Sequence, residues 1–175
     1  MPLRGYNNAN DVLTVMDVLK ALIAVDLSTG QPNTRIGEIQ VATGNDLIYI
    51  QDYYGMLRGP KPAVHIEAGP QRYFLDAQSG REGQMLIKIK YCDSWDAQPD
   101  TISNIKRNNM IDLMRIHANI ENNDTLEFHN ANHAMSIPEM TLGGYEGAID
   151  NTTIPGASFV CHDLNLVINA LPYGV

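Results

Sequence analysis

Residues 84–120 constrain the fold more than any other stretch of the chain. From Gln84 to Cys92 the residues alternate: Met85, Ile87, Ile89 and Tyr91 point one way, and Leu86, Lys88, Lys90 and Cys92 the other. Side chains on a strand alternate between faces, so this is a strand with one apolar face and one wet face, as in an antiparallel sheet with helices on one side. A turn-rich link, 93–100, follows. Asp100 is a good N-cap for a helix from Thr101 to about Ile120, because its carboxylate can accept from the free amides of the first turn. Ile102, Ile105, Leu113, Ile116 and Ile120 form its apolar stripe, flanked by Met110 and Met114. No catalytic motif sits in or beside this unit, which points to packing and building rather than turnover.

The 175 residues suit one domain, with loop insertions expected at 28–62 and 129–157. Charged residues make up only 18%, against about 25% in average soluble proteins. The polar surface is therefore rich in amides and hydroxyls, which cost less to bury in a contact than charges do. Net charge is −8, which disfavours free binding to nucleic acid or an anionic membrane, since both need clustered Lys or Arg. The charge is also uneven. Arg115 is the last basic residue, and Glu121, Asp124, Glu127, Glu139, Glu146, Asp150 and Asp163 follow it. That acidic third faces a basic partner, lines a space where DNA should not stick, or is simply solvated. The N-terminus lacks a secretory h-region, and no apolar run approaches the roughly 20 residues of a membrane span. Cys92 and Cys161 have no CxxC spacing, so each is expected to pack as a small apolar group without a disulfide. These points fit assembly in a cytoplasm.

Elsewhere, Val12, Val15, Met16, Leu19, Leu22 and Ile23 predict an amphipathic helix over 12–25, capped by Asn10 or Asp11. Ile36, Ile39 and Val41 suggest a short strand, and 46–50 another. Strands follow at 63–67 and 72–76, separated by Gly69 and Pro70, then a hairpin-type loop at 79–83. Leu126 and Phe128 mark a short strand, 129–157 reads as a long loop or loose hairpin, and 158–170 is a strand with an irregularity near Asp163. Asn122 and Asn123 stop the long helix. The order predicts an α+β fold: an antiparallel or mixed sheet, two main helices on one face, and long loops in the C-terminal third.

Chemistry is sparse. His129 and His133 are four apart, a spacing that presents two imidazoles to one metal on a helix, with Glu127 or Glu139 as a third ligand. The two Asn between them and the strand-like run before them argue for polar loop residues instead. Cys161, His162 and Asp163 are adjacent, but neighbours on a strand point to opposite faces and cannot converge as a triad. His65 and His117 are expected to be hydrogen-bonded structural residues. Gly143 and Gly144 lack the frame and the Lys of a phosphate loop. Lys88, Lys90, Lys106 and Arg107 are the only tight basic pairs and are candidates for proximity to passing DNA.

Taken in order, the capped helix at 12–25, the Pro-led strand 62–67, the long strand 84–93, the helix 100–123 and the closing strands resemble the tail terminator (tail completion) proteins of long-tailed bacteriophages. The resemblance spans roughly residues 10–128 and the last strand, and rests on element order and hydrophobic rhythm. The loops at 28–62 and 129–157 depart from the simpler members. The resemblance implies a structural virion protein of the neck, not an enzyme and without a cofactor. It would form a homohexameric ring that caps the tail tube and joins it to the head connector. Its partners would be its own copies, the tail tube protein and the connector, with DNA only passing through the lumen and no membrane. It would act in the virion after assembly in the host cytoplasm. The acidic residues after Arg115 would then suit the lumen or a partner surface. A tail-tube or baseplate subunit is the alternative within this class, and a metal-binding enzyme using His129 and His133 the alternative outside it.

Overall fold

The computed structural model describes residues 16–17, 19–26, 29–76, 80–94, 99–122, 133–150 and 159–172. The first helix, α1, is helical at 16–17 and 19–24. Met16, Leu19, Leu22 and Ile23 are buried, as the 3.6-residue rhythm requires; Val12 and Val15 lie outside the described residues. Next come α2 (Arg35–Thr43), β1 (Ile48–Ile50), α3 (Tyr53–Arg58), β2 (Ala63–Asp76), β3 (Gly80–Ser94), α4 (Pro99–Glu121), β4 (His133–Asp150) and β5 (Phe159–Pro172). The five strands form one mixed sheet in the order β1-β2-β3-β5-β4. Only the β1–β2 pair is parallel. The fold is α+β.

The unit at 84–120 does what its pattern demands. Ile87, Ile89 and Tyr91 are buried on one face of β3, while Lys88 is exposed on the other. The buried face meets Leu113, Ile116 and Ile120 of α4 and the apolar side of α1, joined by Val64, Ile66, Leu164 and Leu166 from the flanking strands. Two main helices thus cover one face of the sheet. The second face is not uniformly wet. At the end of β3 marked by Cys92, α3 presses Met56 and Leu57 onto Ala63, Cys92, Phe159 and Cys161 in a separate apolar cluster.

Several expectations are corrected. Ile36, Ile39 and Val41 lie on a helix, α2, because Thr34 caps it: its hydroxyl accepts from the Gly37 amide at 3.2 Å and donates to the Ile23 carbonyl at 2.9 Å. The same contact clamps α2 to the end of α1. A Cβ at Gly37 would collide with the Ala24 carbonyl oxygen, so glycine is required there. Gly44 closes α2 at φ 71°, a left-handed C-cap. The stretch 28–62 is therefore built of α2, β1 and α3 rather than loop. The two predicted strands on either side of Gly69–Pro70 are one strand, β2, with a register shift between Ala68 and Gln71. The helix α4 starts at Pro99, so Asp100 sits in its first turn and is not the cap; Pro tolerates a first-turn position because its missing amide has no partner there anyway. Residues 133–150, expected as part of a long loop or a loose hairpin, form the long strand β4 antiparallel to β5, with shifts between Ser136 and Glu139 and between Gly143 and Ala148. The irregularity expected in β5 near Asp163 therefore falls on β4 opposite it. The predicted strand at Leu126 and Phe128 lies outside the described residues.

The cysteines are the sharpest correction. Cys92 and Cys161 stand directly opposite each other on β3 and β5, with Cα atoms 4.2 Å apart, and are joined by a disulfide. They do pack in an apolar cluster, as small apolar groups would. Pairing across strands is a property of register, and 69 residues of separation hide it from spacing arguments.

Candidate functional site

The densest polar constellation is a hub around Arg35, at the start of α2. Its Nε donates to Asp112 Oδ2 at 2.8 Å, and Nη2 donates to Asn109 Oδ1 at 2.9 Å and to Tyr91 Oη at 3.2 Å. Nη1 reaches Asp93 Oδ2 at 3.4 Å. Tyr91 Oη donates in turn to Asp112 Oδ2 at 2.5 Å. Asn109 passes the network on, donating to the Val160 carbonyl of β5 at 3.3 Å. The guanidinium thus ties α2 to α4 and β3, and the Asn109 amide ties α4 to β5. Burial alone would lower the Arg35 pKa; Tyr91, Asp112 and Asp93 around it carry it upward instead. Burial, with the Asp112 charge beside it, pushes the Tyr91 hydroxyl far up, and it serves as a donor. Burial raises Asp93 against the pull of Arg35. Every member has a partner, so the hub locks the surrounding elements together.

The second face of the sheet carries a ladder of charges. Across β2, β3 and β5 one row is His65, Lys90 and Asp163, and the next is Glu67, Lys88 and Asn165. Lys90 Nζ lies 3.3 Å from Asp163 Oδ1. The two lysines proposed to approach DNA are each matched by an acid in register, which leaves little free positive charge on this face. Lys106 and Arg107 are on α4, the other side of the sheet, so the structure does not bring the two basic pairs together.

The acidic residues are likewise divided. Glu121 ends α4 and lies 3.8 Å from His117 Nδ1. Asp163 belongs to the ladder. Glu139, Glu146 and Asp150 fall on β4, the last strand of the described sheet: Glu139 is in register with Val167, Asp150 with Phe159, and Glu146 lies within the shifted stretch. Asp124, Glu127 and His129 lie outside the described residues. His133 opens β4 opposite Pro172, so it is on a strand and not on the helix a metal pair would need. Among the described residues no group of three or more His, Cys, Asp or Glu could hold a metal. Cys161, His162 and Asp163 diverge as expected: the first is in the disulfide, the second is buried opposite Tyr91, and the third meets Lys90.

Three features escaped the sequence reading. The Arg35 hub joins residues up to 77 apart, and no local signal marks it. Lys61 folds back to donate to the carbonyls of Met56 (2.5 Å), Leu57 (3.0 Å) and Gly59 (2.9 Å), neutralising the negative end of α3. His65 is only 4% exposed and its Nε2 has no hydrogen-bond partner, contrary to the expectation of a satisfied imidazole. Its ring meets Tyr53 edge-on at 5.4 Å.

Burial is the main cause that lowers the His65 pKa; Lys90 adds to it, and Glu67 and Asp52 oppose it. The unfolded chain therefore takes up a proton near pH 6.5 that the folded chain refuses until lower pH. Stability contributed by neutral His65 is complete above that range and falls as pH drops through it, by up to about 1.4 kcal/mol per pH unit. Urea titrations between pH 7.5 and 5 are expected to show this slope in the parent and a shallower one in His65→Gln. Parallel slopes would assign the loss to other groups.

No protein-family model matches the chain, and no curated protein is significantly similar to it. Among the described residues no helix is long and apolar enough to cross a membrane.

Proposed function

We propose that the chain is a structural virion protein of the neck of a long-tailed bacteriophage, a ring-forming tail terminator. It caps the tail tube and joins it to the head connector, as copies of itself in a closed ring that DNA passes through. The observation that carries this reading is the edge of the sheet. β4 is 18 residues long, ends the strand order and pairs with β5 on one side. Among the described residues nothing pairs with its other edge, and a long strand with an open edge is a template for another chain; proteins that stay monomeric usually shorten or cover it. In a ring each edge is covered by the next copy, and the closed assembly has none left over. The order of elements, with the β3–α4 unit at its centre, supports the same reading. The polar groups at the Arg35 hub are engaged in holding the fold, which favours a building role over catalysis.

The test is tail-tube growth in the presence of the purified chain, watched by negative-stain microscopy. A terminator halts growth and appears as a ring on one end of each tube. Long tubes formed by the chain alone would favour the tube-subunit reading. Tubes that grow unhindered, with nothing bound to their ends, would remove the terminator reading.

A further inference from the structure

The outer face of α4 is the strongest feature left without a role. Along it run Asn104, Arg107, Asn108, Ile111, Met114, Arg115 and Ala118, all exposed, at the three- and four-residue spacing of one helix face. Met114 is 53% and Ile111 37% exposed, although the inner face of the same helix has ample apolar residues of its own. Two apolar side chains set between two arginines form a small centre with a charged rim, the anatomy of a contact surface.

We infer that this face docks a second copy of the chain, head to tail, against the acidic β4 edge of its neighbour. Charge complementarity selects that occupant. The exposed stripe holds Arg107 and Arg115; Arg115 lies 3.9 Å from the buried Asp112, whose carboxylate also accepts from Arg35, but its side chain is 55% exposed and reaches the surface. No Lys or Arg follows Arg115, and Glu139, Glu146 and Asp150 all fall on β4. The chain therefore carries two exposed arginines on one stripe of α4 and three acids on the last strand of the sheet order, as two separate features. Two copies joined through the same helix would set arginine against arginine, which costs energy; helix against edge strand sets opposite charges together. The arrangement also covers a sheet edge with a helix, a common way to block unwanted strand pairing. Such a contact uses different patches on the two partners, and repeats until it closes into a ring. The inference rests on the ring reading above and names the surfaces that make the ring.

The test compares the full-length chain with three variants by sedimentation velocity and native mass spectrometry. These are M114E/R115E, the triple E139K/E146K/D150K, and a charge exchange combining R107E/R115E with the triple. Circular dichroism confirms folding of every variant, and Arg107, Met114 and Arg115 are exposed positions where substitution is usually tolerated. The parent is expected to oligomerise, more weakly as salt rises. M114E/R115E and the triple should each raise the dissociation constant about tenfold or more, and the charge exchange should recover much of the loss. An oligomer indifferent to both sets of changes would overturn this inference while leaving the terminator reading to the tube-growth test. A parent that remains monomeric across the accessible concentration range would also overturn it. Loss of DNA retention in M114E/R115E, with assembly unchanged, would assign the face to nucleic acid instead.

Discussion

Replacing Asp112 with alanine is expected to lower the free energy of unfolding by about 3 kcal/mol in urea titration, with the slope unchanged. The carboxylate is 2% exposed and accepts from both Arg35 Nε and Tyr91 Oη. Its removal takes the acceptor from the buried Tyr91 phenol and the nearer of two carboxylates from Arg35, which keeps Asp93 and Asn109. Losing one partner of a buried pair costs about 3–5 kcal/mol, because the survivor keeps its desolvation penalty. The lower end applies here, since the Arg35 side chain is 31% exposed and water screens part of its charge. The double variant Y91F/D112A removes the phenol together with its acceptor. It should cost less than the sum of Tyr91→Phe and Asp112→Ala, because no hydroxyl is left without an acceptor and Arg35 keeps Asp93 and Asn109. A loss below about 1 kcal/mol for Asp112→Ala would mean that the hub behaves like a surface ion pair.

The disulfide carries the second large effect. Reduction, or the paired change C92A/C161A, is expected to cost about 2–4 kcal/mol. The bond closes a loop spanning 69 residues of separation, and holding that loop shut in the unfolded chain is the chief source of the stabilisation in the chain-entropy account. The thiols lie under α3 among Met56, Leu57 and Phe159, so alanine also leaves a small void beside them. Thermal melts with and without reductant should differ in the parent and coincide in C92A/C161A. A parent indifferent to reductant, with free thiols on titration, would contradict the bond. Protein alkylated under reducing conditions should carry two labels, and oxidised protein none.

What the sequence makes legible is what local periodicity encodes. The alternation of Ile87, Ile89 and Tyr91 and the stripe Leu113, Ile116 and Ile120 specify two elements and the faces they bury. From these the two-layer α+β architecture follows. Where a cap or a neighbour decides, periodicity fails. Ile36, Ile39 and Val41 permit either a strand or a helix, and the Thr34 hydroxyl settles it from outside the run. β4 contains Pro138, Gly143, Gly144 and Gly147 and lacks a steady alternation because its register shifts twice, so it resembled a loop or loose hairpin. Interactions set by register alone stay hidden, among them Cys92 with Cys161 and Lys90 with Asp163. The candidate surface residues show the same limit. Charge asymmetry along the chain is plain in the sequence, but the sheet divides the basic residues between its two sides and pairs half of them with acids. The exposure of Ile111 and Met114 depends on the rotation of α4 about its axis, which the stripe on its other side sets only once the sheet is present.

The claim at the centre of this account is that the chain closes on itself into a ring. Native mass spectrometry of the purified full-length protein tests it most directly. The account predicts one discrete closed multiple of the 175-residue chain, six by resemblance to the tail terminators, that loses mass in whole subunits as salt rises. A single monomer peak at every concentration and salt, with tail tube protein present or absent, would contradict it.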